Sequence, residues 1–162
     1  MLFLIVLFAA YALIWPVTRS SMAGRDRWRI ALGAGMVVAG AAHLAMPLPF
    51  IQHLPEIVPM REAIVFGSGV VEIVLGLALA GPARWRPIVG LVLAAYLVAV
   101  FPGNLYVAFS GVAVEGQPGG IYAWLRLPLQ GFFIWLAVWS TDGLSALPKR
   151  FVALGLRRAS IA

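Results

Sequence analysis

Residues 62–80 read EAIVFGSGVVEIVLGLALA, an apolar run that begins with Glu62 and has Glu72 as the one charge in its interior. A helix that crosses a bilayer needs roughly 20 mainly apolar residues, so this stretch predicts a transmembrane helix. Four stretches of similar composition accompany it, at residues 1–17, 30–46, 87–109 and 122–140. The sequence therefore predicts an all-α polytopic bundle of five transmembrane helices. It forms one membrane domain over residues 1–162, with residues 141–162 as a tail.

The composition excludes a water-soluble globule. Of the 162 residues, 62% are hydrophobic and 11% are charged, which leaves too few polar side chains to cover a surface in water. The net charge of +6 comes from clusters beside apolar segments, which favours contact with anionic membrane lipids over binding of nucleic acid. With no cysteine, the chain forms no disulfide, and a redox role would need a bound cofactor or a partner.

The basic residues also predict the orientation in the membrane. Ten of the twelve lie in residues 19–29, 84–86 and 149–158, whereas residues 47–60 and 110–120 contain no lysine or arginine. Because lysine and arginine accumulate in cytoplasmic loops, this alternation places the N-terminus outside and the C-terminus in the cytoplasm. No basic residue precedes the first apolar segment, which is the reverse of a secretory signal peptide.

Two segments outside the predicted spans have distinctive sequences. Residues 47–59, PLPFIQHLPEIVP, contain four prolines yet remain apolar. They are expected either to fold against the bundle as a lid or dip into the interface, or to form an ordinary ordered loop. His53 and Glu56 within them are interpreted as interfacial or helix-capping residues rather than catalytic ones. Residues 147–158 form either a short basic amphipathic helix on the inner surface or a disordered tail.

Polar side chains inside the predicted spans need partners, because a charge in hydrocarbon costs at least ~2.5 kcal/mol. The spans are predicted to bring five of them together in one outward-facing pocket beneath the proline-rich segment. These candidate ligand-binding residues are His43, Glu72, Asn104, Arg126 and Gln130. His43 and Glu72 are also the candidate catalytic residues, since an imidazole and a carboxylate within reach of each other can move a proton.

Four of these five residues also have a structural interpretation. Glu72 could pair with His43 or Arg126 only to specify helix packing, and His43 alone could be a structural hydrogen-bonding residue. Asn104 follows Pro102 and could satisfy the backbone carbonyl that the proline leaves free. Arg126 could instead extend to the outer headgroups.

Familiar enzyme motifs do not occur in the sequence. It has no phosphate-binding loop, dinucleotide-binding glycine pattern, HExxH motif or nucleophile elbow, so phosphoryl transfer, metalloprotease and serine hydrolase activities have no support. His43 and His53 make a weak metal signal, and no metal is expected.

Four segments together resemble the DoxX-like family of small bacterial integral membrane proteins. They are AGAAHLAMP at residues 39–47, SGVVEIVLGLAL at 68–79, AVFPGNLYVAF at 99–109 and RLPLQGFFIWLAVW at 126–139. The resemblance covers roughly residues 30–140. It implies a four-helix core, to which the first predicted span is an addition, and a place in the bacterial cytoplasmic membrane. Some members are named as subunits of a thiosulfate:quinone oxidoreductase, which makes quinone a candidate cofactor and a redox subunit a candidate partner by analogy.

The sequence leaves three functions open. The first is an accessory protein that binds a small apolar molecule, such as a quinone or lipid, in the outward-facing polar pocket. The second is a membrane redox or isomerase enzyme in which Glu72 and His43 move a proton. The third is a scaffold subunit of a membrane redox complex, whose polar residues hold helices together or recruit a partner. Small-residue faces could also join protomers, so an oligomer stays open.

Overall fold

The computed structural model describes residues 2–147, and within them all regular structure is helical. Six α-helices follow in chain order: α1 (Leu2–Thr18), α2 (Gly24–Ala45), α3 (Leu48–Ile51), α4 (Arg61–Ala78), α5 (Arg86–Ser110) and α6 (Ile121–Thr141). Short 3-10 helices at Ala83–Trp85 and Gly143–Ala146 precede α5 and follow α6. The predicted all-α class is confirmed. The two expectations for the C-terminal tail concern residues that, apart from Leu147, lie outside the described part.

Three helical segments are long and apolar enough to cross a membrane: Gly24–Ala45, Ala83–Ser110 and Ile121–Thr141. The helix α1 is apolar but shorter. The helix α4 has 18 residues and contains three charged side chains, Arg61, Glu62 and Glu72. These lengths and compositions indicate a membrane protein, while the five-span bundle remains a prediction.

The helix α2 begins at Gly24 rather than at residue 30, where the predicted span starts. Its first turns contain Arg27 and Arg29, and arginine is a good helix former. Arg27 donates a hydrogen bond to the carbonyl oxygen of Met22 at 2.7 Å, which ties the start of the helix to the preceding turn. Hydropathy detects only the apolar part of such a helix, so it places the boundary too late.

The helices α2 and α4 run antiparallel and approach closely at two pairs of glycines. A Cβ atom built on Gly33 would lie 2.7 Å from the carbonyl oxygen of Gly76, and one built on Gly40 would overlap the carbonyl oxygen of Gly69. The spacing of the two glycines along each helix is about two turns, so both face the same neighbour. Small residues at these points allow the backbones to touch, as in many membrane helix pairs.

The bundle has two ends of different character. The arginine end contains the first turns of α2 and α5 and the last turns of α4 and α6. The loop end contains residues 46–60 and 111–120. The largest fully buried side chains fill the middle and the arginine end: Leu7, Leu32, Met36, Leu79, Leu93 and Leu136. Buried polar side chains occur toward both ends, with Arg29, Ser140 and Thr141 at the arginine end and His53 at the loop end.

Arg29 is a buried charged residue at the arginine end, with 2% of its surface exposed. Its guanidinium donates to the carbonyl oxygen of Leu79, just after α4, and to Asp26 at 2.8 Å. Asp26 also accepts from Arg86, at the start of α5, at 3.4 Å. Arg29 and Asp26 therefore join three helices. This role was not predicted from the sequence, in which the clustered arginines indicate only the orientation in the membrane.

Candidate functional site

Glu72 and His43 meet where the glycines bring α2 and α4 together. Glu72 is 8% exposed, and its Oε2 atom lies 3.0 Å from Nδ1 of His43. Gly69 makes room for the histidine, since a Cβ atom on it would lie 2.8 Å from the Cβ atom of His43. The two candidate catalytic residues are therefore within ion-pair distance of each other.

The backbone sets the direction of the hydrogen bond at His43. Its Nδ1 atom lies 2.9 Å from the carbonyl oxygen of Ala39, which can only accept, so Nδ1 is assigned the hydrogen and donates it there. Oε2 of Glu72 is close to the same nitrogen but is not aligned with its hydrogen, and it has no hydrogen-bond partner within residues 2–147. The contact between Glu72 and His43 is therefore electrostatic rather than a full hydrogen bond.

Tyr96 on α5 connects this pair to a groove on the surface of the bundle. Its hydroxyl donates to Oε1 of Glu72 at 2.9 Å, while the carbonyl oxygen of Ser68 lies 3.5 Å away. The groove between α4 and α5 is open to the surroundings and has a volume of about 530 Å³. Tyr96 is the lining residue with a polar side chain, and the others are apolar: Val70, Val71, Val74, Leu75, Val92, Ala95 and Ala99.

Tyr96 is not among the site residues predicted from the sequence. The residue lies in AAYLVAV, which hydropathy treats as uniformly apolar. The signal that could have found it is its hydroxyl, because a buried tyrosine usually has a hydrogen-bond partner. Glu72 is the partner that this signal would have indicated, because a carboxylate inside a membrane helix needs hydrogen-bond donors.

Asn104 and Gln130 form a second polar group, between α5 and α6. The amide of Asn104 donates to Oε1 of Gln130 at 3.3 Å, and the amide of Gln130 donates to the carbonyl oxygen of Leu97 at 2.8 Å. The carbonyl oxygen that loses its helical donor at Pro102 is that of Val98, four residues earlier, so these bonds do not supply the partner predicted for Asn104. The two amides bond to each other and to the backbone, which favours a structural role for both.

Arg126 lies near the loop end of α6 and donates to neutral acceptors. Its Nη1 atom lies 2.5 Å from Nε2 of His53 and 2.6 Å from Oε1 of Gln117. Its guanidinium also stands 6.0 Å from the centre of the Tyr122 ring. Among the described residues, no carboxylate lies within ion-pair distance of it. Of the two partners considered for Glu72, the structure therefore supplies His43 and not Arg126.

The proline-rich segment packs on the loop end of the bundle. The ring of Phe50 stacks on His43 with a centroid distance of 3.6 Å. Gln52 accepts a hydrogen bond from the backbone N–H of Glu115 at 2.7 Å. His53 is 8% exposed and lies against Gly103 of α5, so it is buried rather than interfacial. The segment therefore covers His43 from the loop end, in line with the lid interpretation.

The pKa of His53 predicts a loss of stability in acid. Burial, assisted by the Arg126 guanidinium, lowers this pKa from 6.5 to about 4. Between these two values the unfolded chain binds a proton that the folded protein excludes. Stability therefore falls as the pH drops from 6.5 to 4, and this group causes no further loss below pH 4. We expect a decrease of about 3 kcal/mol in the free energy of unfolding, measured by thermal unfolding in detergent across this range.

The matched variant for this measurement is His53→Gln. Its amide oxygen can accept the hydrogen bond from Arg126 but does not titrate. We expect the difference in stability between wild type and variant to change with pH only between 6.5 and 4. Parallel pH profiles for the two proteins would contradict the prediction, because they would mean that His53 takes up protons equally well in both states.

The five predicted ligand-binding residues fall into three groups: His43 with Glu72, Asn104 with Gln130, and Arg126 with residues of the loop end. A smaller cavity of about 130 Å³ lies at the loop end, lined in part by Val114, Gln117 and Trp124. None of the five lines this cavity or the groove between α4 and α5. Their convergence in one outward-facing pocket therefore stays a prediction, and the groove is a different place for a ligand.

Both histidines contact a backbone carbonyl oxygen of their own segment through Nδ1. Nδ1 of His53 lies 2.7 Å from the carbonyl oxygen of Pro49, as Nδ1 of His43 does from that of Ala39 at 2.9 Å. Within residues 2–147, no group of three or more histidine, cysteine, aspartate or glutamate side chains could hold a metal ion. The site is therefore built from hydrogen bonds and one carboxylate–imidazole contact.

The model of the family described as Domain of unknown function (DUF8561) matches residues 32–141. The chain belongs to this family. The DUF8561 region covers about two thirds of the chain and runs from α2 to the end of α6, so it contains the groove and all three polar groups, while α1 precedes it. No curated protein and no solved structure matches the chain.

Proposed function

We propose that the protein is a five-span integral membrane protein of the bacterial cytoplasmic membrane, with the loop end outside. Six of the described arginines support this orientation, because they lie at or next to the arginine end, against Arg61 and Arg126 nearer the loop end. The helix α1 packs on α2, where the rings of Tyr11 and Trp28 stack at 4.2 Å. With this orientation α1 starts outside and α6 ends at the cytoplasmic face.

In this setting the protein is an accessory membrane protein that binds a small apolar molecule, such as a quinone or lipid, in the groove between α4 and α5. The observation that carries the proposal is the groove of about 530 Å³, whose polar lining residue, Tyr96, connects it to the buried Glu72 and to the partly buried His43. Apolar walls with a few polar groups are the usual makeup of a ligand site. Val74 and Val92, from the two walls, are exposed, so a ligand dissolved in the bilayer could reach the groove directly.

The proposal includes a relationship to the DoxX-like family and a redox partner subunit. Its support is the order of the polar motifs and the position of α1 before the DUF8561 region, which leaves four long helices within that region. This arrangement agrees with the four-helix core that the resemblance implies. A partner subunit would supply the redox groups that a chain without cysteine lacks.

A membrane enzyme of redox or isomerase type is the second candidate. It is favoured by the 3.0 Å distance between Glu72 and His43 and by the hydrogen bond that joins Glu72 to Tyr96 at the groove. A carboxylate in this position could exchange a proton with a bound molecule. A scaffold subunit is the third candidate, favoured by the glycine contacts between α2 and α4.

Native mass spectrometry with lipid extraction tests the proposed ligand site, on protein purified in a mild detergent. We expect a discrete co-purifying apolar molecule in wild type and at least a tenfold loss of it in Ala99→Phe, because the added ring would fill the groove. Val98→Phe is the matched control, since Val98 is exposed on the same helix and does not line the groove. Wild-type protein without any bound molecule would overturn the proposal, and equal loss in both variants would place the ligand elsewhere.

A further inference from the structure

The hydrogen bond of Tyr96 determines what this residue can offer to a molecule in the groove. A tyrosine hydroxyl has one hydrogen to donate and lone pairs that accept. In Tyr96 the hydrogen is directed to Oε1 of Glu72 at 2.9 Å, and the second acceptor, the carbonyl oxygen of Ser68, is at 3.5 Å. The lone pairs of the hydroxyl oxygen are therefore the hydrogen-bonding capacity that remains for a ligand.

Glu72 retains the hydrogen of Tyr96 for two reasons. A hydrogen bond from a hydroxyl to a carboxylate is roughly twice as strong as one between neutral groups, so a ligand carbonyl would compete poorly for it. Oε2 of Glu72 is already without an aligned hydrogen-bond partner in the described chain. If Tyr96 turned its hydrogen toward a ligand, both oxygens of an 8% exposed carboxylate would lack a full hydrogen bond, which is an unfavourable arrangement.

We propose that the groove binds apolar molecules headed by a hydroxyl group, such as a long-chain alcohol or a phenol with an apolar tail, in preference to those headed by a carbonyl or ether oxygen. The ligand hydroxyl donates to Tyr96, and Tyr96 donates to Glu72, so every hydrogen in the chain has an acceptor. Of a quinone and its reduced form, the groove takes the hydroxyl-bearing reduced form. The inference rests on the proposed function and adds the chemical class of the ligand.

A matched pair of probes, 1-hexadecanol and its methyl ether, tests this preference on delipidated full-length protein. In the ether a methyl group replaces the donor hydrogen of the alcohol, and native mass spectrometry measures the binding of each. We expect wild type to bind the alcohol about fivefold more tightly, the factor that corresponds to one net hydrogen bond. Tyr96→Phe should bind both probes equally. Tyr106→Phe, which changes a tyrosine of the same helix outside the groove, should keep the wild-type preference.

The outcomes separate this inference from the proposed function. Equal binding of both probes by wild type, with both lost in Ala99→Phe, would overturn the donor preference and leave a ligand site in the groove. Failure of both probes to bind, together with an empty protein after mild purification, would overturn the inference and the proposed function together. The wild-type ratio compares two ligands on one protein, so it decides the inference even if Tyr96→Phe folds poorly.

A second copy of the chain is the competing occupant of the groove. Val74→Cys would be the sole cysteine of the chain and lies in the groove lining. Under mild oxidation we expect it to remain monomeric, because a ligand of the membrane fills the groove. A disulfide-linked dimer formed in high yield would show that another protomer occupies this face and would overturn the inference.

Discussion

Gly40→Ala is expected to lower the free energy of unfolding by about 2–3 kcal/mol. The added methyl group would overlap the carbonyl oxygen of Gly69 and lie 2.8 Å from a side-chain carbon of Ile73. A backbone carbonyl within a helix cannot move aside alone, so α2 and α4 must separate. Overpacking of this kind typically costs 1–3 kcal/mol. The measurement is denaturant or thermal unfolding of the purified protein in detergent.

The matched control for this substitution is Gly67→Ala. Gly67 lies on α4, the helix that Gly40 of α2 contacts, but a Cβ atom on Gly67 would meet nothing within 4 Å. Alanine is the better helix former by about 1 kcal/mol, so this variant should be as stable as wild type or slightly more stable. Similar losses in Gly40→Ala and Gly67→Ala would contradict the close glycine contact between α2 and α4.

Glu72→Gln is expected to reduce the amount of molecule bound in the groove at least tenfold while the bundle stays folded. The amide has the shape of the carboxylate, but one oxygen becomes an NH₂ group that donates. If the amide oxygen keeps the hydrogen of Tyr96, the NH₂ group faces the Nδ1–H of His43, donor against donor. If the amide is reversed, the NH₂ group faces Tyr96, whose hydroxyl must turn away. Both arrangements disturb the hydrogen bonds and contacts among Tyr96, residue 72 and His43 beside the groove.

The measurement for Glu72→Gln is again the co-purifying molecule, together with thermal unfolding. Glu62→Gln is the matched control, because Glu62 is exposed in the first turn of the same helix. Retained binding without conversion, in a case where wild type converts the molecule, would favour the enzyme over the accessory protein. A variant that unfolds or loses a partner subunit, with ligand occupancy unchanged per folded molecule, would favour the scaffold and contradict the prediction.

The long helices could be predicted from hydropathy because most of them are apolar over nearly their whole length. The helices α5 and α6 each begin and end one residue outside the predicted spans. The helix α2 departs from its prediction because its first turns are charged and are stabilised by contacts with other segments, such as that of Arg29 with the end of α4. Local composition contains no information on such contacts.

The candidate site was predictable only in part. Glu72 and His43 could be selected because an ionisable group inside a membrane is costly and needs a partner. The sequence left two partners for Glu72, His43 and Arg126, since either could be brought near by rotation of the helices. Tyr96 was not predicted because a single hydroxyl hardly changes the hydropathy of an apolar helix.

By itself the sequence determined that the protein is helical and apolar enough for a membrane. It also identified the polar residues whose burial in a membrane costs free energy and that therefore need partners. These properties depend on the composition and order of residues within single segments. Only the tertiary structure decided that Glu72 lies beside His43 and that Tyr96 joins this pair to a groove. It also decided that Arg126 donates hydrogen bonds at the loop end rather than pairing with Glu72. Contacts between residues of different helices depend on the rotation and spacing of those helices. The close glycine contacts and the packing of buried side chains determine both.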